Sequence, residues 1–147
     1  MRIAFFATSA LALAFMTGCA TPSAEPTSSA TAAPTGGTAL AGAERKVVEI
    51  GGAPTVSGSN VTIQFEDGRV FGAAGCNRFM GGYTLADDGL SIEMSQMAST
   101  MMACPDALMQ QERAFLDTLA AVKGYSVGAD GTLSLSTPDG KTIKARR

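Results

Sequence analysis

The chain has 147 residues with 11 basic side chains, 13 acidic ones and no histidine, for a formal charge of −2. Without histidine, Ser-His-Asp and Cys-His nucleophilic arrangements are excluded, as is every histidine-containing metal site. Arg45-Lys46 and Arg146-Arg147 are isolated basic pairs rather than a stripe, so no nucleic-acid footprint is present.

The N-terminus sets the compartment. Arg2 is followed by an uncharged apolar stretch, Ile3 to Phe15, with the length of a signal-peptide core and too short to span a bilayer. It ends in Met16-Thr17-Gly18-Cys19, which resembles a bacterial lipobox whose cysteine is lipidated and becomes the first mature residue. An ordinary secretory signal cut near Ala20 is the alternative. Cleavage at Cys19 removes Arg2 and leaves 10 basic residues against 13 acidic, a mature charge of −3. It also divides the three cysteines into one anchor and one pair. From Ala20 to Ala43 the chain is mostly Ala, Thr, Ser, Pro and Gly, a composition that does not bury enough apolar surface to offset its ordering entropy. We read it as a tether reaching on the order of 25–30 Å. The expected organisation is a lipoprotein signal at 1–18, anchor and tether at 19–43, and a folded domain at 44–147. That predicts a monomer attached to the bacterial envelope through Cys19. Ala20 is not the Asp that retains lipoproteins at an inner membrane, so with two membranes the outer one is expected.

Beyond Glu44 the pattern becomes short alternating strands. Val47 to Ile50 forms the first, ending at Gly51-Gly52, and Asn60 to Phe65 alternates with Val61, Ile63 and Phe65 on one face. Asp-Gly, a strong hairpin signal because both residues tolerate positive φ, occurs four times: Asp67-Gly68, Asp88-Gly89, Asp130-Gly131 and Asp139-Gly140. Each lies between apolar runs and predicts an antiparallel meander, closing with Leu133–Leu135 against Thr142-Ile143.

Pro105 to Val122 breaks the rhythm, with Leu108, Phe115, Leu119 and Val122 at helical spacing and Gly124 as the stop. Pro105 suits a helix start. The expected fold class is therefore α+β, an antiparallel β meander of about seven to eight short strands packed on one α-helix.

Two motifs then stand out: Gly75-Cys76-Asn77-Arg78-Phe79 and Thr100-Met101-Met102-Ala103-Cys104. Together with Gly81-Gly82-Tyr83, Leu90-Ser91-Ile92, Glu112 and Phe115-Leu116, they resemble the META domain over about Val47 to Lys144. That family includes HslJ-like heat-shock lipoproteins of bacterial envelopes. The resemblance implies a compact antiparallel sheet on one helix, an envelope location, a link to stress or drug tolerance and no established reaction. The chain departs from the pattern near Arg45, where many members carry Trp; it contains none.

Cys76 and Cys104 admit three readings. As a structural disulfide, which an exported compartment sustains, they would close a loop of about 29 residues and stabilise by about 3–4 kcal/mol. As a redox pair they lack C-x-x-C spacing, although Cys104 precedes a helix start. As Cu(I) ligands they would act with Met80, Met94, Met97, Met101 and Met102, but Met on strands is more often adaptable core filler. We take the disulfide, with no metal and no cofactor. Asn77, Arg78 and Phe79 are candidates for a partner-binding loop. The competing reading is that Asn77 and Arg78 satisfy backbone groups of the loop between Ala74 and Gly81. Asp87 and Asp88 are adjacent turn residues without a cleft between them, and Gly72, Gly75, Gly81 and Gly82 lack the Lys-Ser/Thr of a phosphate loop. The expectation is a non-enzymatic envelope lipoprotein, with an inhibitor or binding module for an envelope protein as the alternative.

Overall fold

The computed structural model of the chain describes residues 39–147; the signal segment, Cys19 and most of the tether lie outside the described residues. In chain order come β1 (Arg45–Ile50), β2 (Ala53–Pro54), β3 (Asn60–Glu66), β4 (Arg69–Gly75), β5 (Arg78–Leu85) and β6 (Ile92–Ser99). There follow α1 (Asp106–Ala120), β7 (Gly124–Val127), β8 (Leu133–Ser136) and β9 (Thr142–Arg146). Among the described residues no helix is long and apolar enough to cross a membrane.

All four Asp-Gly pairs connect consecutive strands. The tightest joins β3 to β4, with Glu66 opposite Arg69. Asp67 and Gly68 there take φ of 47° and 75°, the two positive values that match a hairpin's right-handed twist. At two of the other turns the aspartate accepts hydrogen bonds from the backbone ahead. Asp88 receives the N–H of Leu90 at 2.9 Å and of Ser91 at 2.8 Å, and Asp130 that of Thr132 at 3.0 Å.

The hairpins build one antiparallel sheet in the order β6-β5-β4-β3-β1-β9-β8-β7, with β2 folded back on β1. β1 thus lies between β3 and β9 and joins the β3–β6 meander to the β7–β9 meander. The sheet curls until its outer strands meet at one end. There Ser91 bridges Gly124, Ile92 N–H donates to Lys123 O at 3.0 Å, and Tyr125 N–H donates to Leu90 O at 3.0 Å. At its open end the curl is closed by α1, which packs on β1, β4, β6 and β9.

α1 follows the expected stripe. Phe115 and Leu119 are buried, and Phe115 meets Phe79 of β5 edge-on with ring centroids 5.3 Å apart. The helix is shorter than predicted. Pro105 precedes it as the cap residue, and its carbonyl accepts from Leu108 N–H at 2.9 Å and Met109 N–H at 3.1 Å. It ends at Ala120, where Ala121 and Val122 N–H turn back to Thr118 and Leu119 carbonyls, both at 3.2 Å. Gly124, expected as the stop, instead opens β7 opposite Ser136, where an added Cβ would lie 2.9 Å from Ser136 Oγ.

The folded part also begins earlier than expected. Leu40 is wholly buried in the core beside Val47 and Phe65, and Gly42 N–H donates to Phe65 O at 3.1 Å. Arg45, only 1% exposed, donates from Nη1 to Leu40 O at 2.8 Å and from Nη2 to Ala39 O at 2.7 Å. Residues 39–43 are therefore part of the domain. Burial, with Arg147 adding repulsion, lowers the Arg45 pKa; the two carbonyls compensate part of the desolvation.

Candidate functional site

The two motifs meet at the open end of the curl, against α1. Asn77 occupies the turn between β4 and β5 and is 1% exposed. Its Oδ1 accepts from Met102 N–H at 2.7 Å and from Thr100 Oγ1 at 2.9 Å. Its Nδ2 donates to Glu112 Oε1 at 2.8 Å and to Met102 O at 3.3 Å. Its backbone N–H donates to Glu112 Oε2 at 2.8 Å, and its carbonyl accepts from Ala74 N–H at 2.7 Å. Thr100 closes the circuit, its Oγ1 accepting from Arg78 N–H at 3.1 Å and its own N–H donating to Arg78 O at 3.0 Å. One amide side chain thus joins a β-turn, the segment after β6 and the helix. Asn suits the position because a turn held on two sides needs both a donor and an acceptor on a short stem.

Cys76 and Cys104 lie beside this network at disulfide distance, their Cα atoms 6.3 Å apart, which is compatible with a bridge. Such a bridge would fasten the β4–β5 turn to the residue just before Pro105.

Glu112 is one of the residues on which the family resemblance rests. It is buried, and both of its oxygens are occupied by Asn77. A sequence signal existed: Leu108, Glu112, Phe115 and Leu119 fall at i, i+4, i+7 and i+11, which puts the carboxylate on the buried stripe. A charge there requires partners. The adjacent Gln111 reaches the β2–β3 loop and accepts from Val56 N–H.

Of the three loop candidates, Asn77 and Phe79 face inward and Arg78 alone is exposed. The methionines divide between the core and the solvent. Met94 and Met97 pack against the core, whereas Met80 is 66% exposed, Met101 96% and Met102 59%. The core-filler expectation therefore holds for Met94 and Met97 and fails for the other three. Met80 and Met97 lie on opposite faces, because Met80 pairs with Ala98 on the outside while Met97 fills the space over Gly81. Among the described residues no three His, Cys, Asp or Glu side chains group as metal ligands.

Outside this network lies a groove of 530 Å³ over β4, β5 and β6. Phe71, Met80 and Ala98 stand directly opposite one another across the three strands and so share its outer face. Ala73 and Arg78 form the next row on one side; on the other, Arg69 is opposite Gly82. A Cβ at Gly82 would meet Ser95 Oγ at 2.7 Å, so the floor beside Arg69 stays low. A bulge in β6, with Gln96 at φ 50°, carries that strand past Gly81.

A curled antiparallel sheet closed by one helix, with a turn asparagine locked to a helix carboxylate, defines a small α+β domain. The META domain family model matches residues 38–147, and the chain belongs to that family. Two solved structures share the fold. One, an NMR structure of a protein from Burkholderia xenovorans, is 24% identical with a TM-score of 0.60, covering 75% of this chain and 84% of that one. The other, also an NMR structure, is 20% identical with a TM-score of 0.55, covering 70% of this chain and 86% of that one. No curated protein matches the chain.

Proposed function

We propose that the chain is a bacterial envelope lipoprotein, held on its membrane by acylated Cys19, whose META domain acts without catalysis in HslJ-like envelope stress or drug tolerance. The observation that carries the non-enzymatic reading is the occupation of the motif's polar atoms. Both ends of the Asn77 amide and both oxygens of Glu112 are used within the protein. A site built to act on a substrate leaves such groups aimed at space where a reacting atom sits. The Cys76–Cys104 bridge, formed after export, would be structural. The anchor reading is supported by Met16-Thr17-Gly18-Cys19 and by the low-complexity segment that follows. Two acyl chains hold a protein stably on a bilayer, since each buried CH₂ contributes about 0.8 kcal/mol.

The test is fractionation with labelled fatty acid. Wild-type protein should take up the label and sediment with membranes, and Cys19→Ser should do neither. Unlabelled wild-type protein free in the periplasm or medium would end the anchor reading. A second reading, a binding module acting through the Cys76 to Tyr83 region, is favoured by the groove, because Arg78 and Met80 of that region line it.

A further inference from the structure

The groove over β4–β6 has a charge opposite to that of the domain around it. The mature chain carries more acidic than basic side chains, yet the charged residues lining the groove are Arg69 and Arg78. Neither guanidinium forms an ion pair among the described residues. Glu66, opposite Arg69 across the Asp67-Gly68 turn, is its acidic neighbour in register and makes no such pair. Between the two arginines the floor is apolar, with Phe71 and the 66%-exposed Met80 in one row. An unpaired guanidinium at each end of an exposed apolar row is complementary to a ligand with two anionic ends and an apolar middle.

The spacing favours an extended polypeptide. Arg69 is opposite Gly82 and Arg78 opposite Ala73, so the two arginine rows are four residues apart on β5. At about 3.3 Å per residue that is about 13 Å, the distance between side chains i and i+4 of an extended chain, with i+2 midway on the same face. We propose that this groove is the docking site for an extended acidic segment of another protein, with carboxylates at i and i+4 against Arg78 and Arg69 and an apolar side chain at i+2 over Phe71 and Met80. This rests on the binding-module reading for its location and is independent of the anchor.

The experiment measures fluorescence anisotropy of labelled peptides with the chain as cells process it, solubilised in mild detergent. The probe is Ser-Glu-Ser-Phe-Ser-Glu-Ser, with a control carrying Lys in place of both Glu. The acidic peptide should bind, the Lys peptide should not, and affinity should fall as salt rises. Arg69→Glu with Arg78→Glu should weaken binding at least tenfold with the thermal melt unchanged, and Met80→Ser should weaken it with the salt dependence retained. Should the charge-reversed protein melt early, salt dependence and the Glu-versus-Lys contrast in the wild type decide the matter. Equal binding of the two peptides, or unchanged affinity in a folded double variant, would overturn the proposal. So would binding to phosphatidylglycerol vesicles without binding to the peptide. Running the assay also on Cys19→Ser separates the two ideas, since peptide binding should survive loss of the anchor.

Discussion

Asn77 supports more of the molecule than any neighbouring polar side chain, because it ties its own turn both to the segment after β6 and to α1. Replacing it with Ala would leave Glu112 Oε1 and both backbone groups of Met102 without these partners, while the backbone N–H of residue 77 keeps its bond to Oε2. Leaving buried polar groups unpaired costs about 1–3 kcal/mol each, more for a charge. We expect Asn77→Ala to lose about 3 kcal/mol or more in urea denaturation. Asn77→Asp, which puts a carboxylate oxygen 2.8 Å from Glu112 Oε1, should be at least as severe at neutral pH. A double-mutant cycle of Asn77→Ala with Glu112→Ala should give a coupling energy of about 1–3 kcal/mol, whereas two independent sites would add. A second residue-scale prediction concerns acid. Lys141, followed by Thr137, holds the Asp139 carboxyl down at about 2. Because its folded value lies below the unfolded one of about 3.9, the contribution is present above pH 4 and is lost as pH falls toward 2. Asp139→Asn should therefore flatten the stability profile between about pH 4 and 2 and leave its shape near pH 7 unchanged.

At the scale of elements, the close approach of β3 and β4 depends on one missing side chain. A Cβ on Gly72 would sit 2.1 Å from the Thr62 carbonyl oxygen and 3.2 Å from Ile63 Cα, all backbone with no freedom to move aside. Gly72→Ala should force the two central strands apart and lower Tm sharply. Gly131→Ala, at φ 79° with nothing within 4 Å, should cost only about 1–2 kcal/mol of left-handed strain. The Cys76–Cys104 bridge belongs to this scale, since it would tie the β4–β5 turn to the start of α1. Losing it should cost about 2–5 kcal/mol, a large share of the 5–15 kcal/mol typical of a domain. Reductant should lower Tm of the wild type and leave a Cys76→Ala, Cys104→Ala variant unchanged. Two readily alkylated thiols in air-exposed protein would revive the redox and copper readings.

Across the whole molecule, the end of the tether segment is held in the core by Leu40, with Arg45 gripping its carbonyl. Leu40→Ala should destabilise the domain by about 2–5 kcal/mol as a buried large-to-small change. It should also raise hydrogen exchange in β1, whose Arg45 loses an ordered partner. A substitution at Ala43, exposed on the same segment, should do neither.

The hairpins and the helix were legible because their causes are local. Asp-Gly pairs set positive φ where β3 turns into β4, and a 3.6-residue stripe selects the face that carries Phe115 and Leu119. Signal, lipobox and tether were read from composition and short motifs and remain sequence-based readings. Tertiary structure decided what depends on distant partners. It placed β1 between β3 and β9, buried Leu40 and Arg45, and turned Asn77 inward onto a glutamate 35 residues away. It also sorted the methionines, placing Met97 over Gly81 and Met80 on the open groove, because a strand's two faces stay equivalent until the sheet curls around a core.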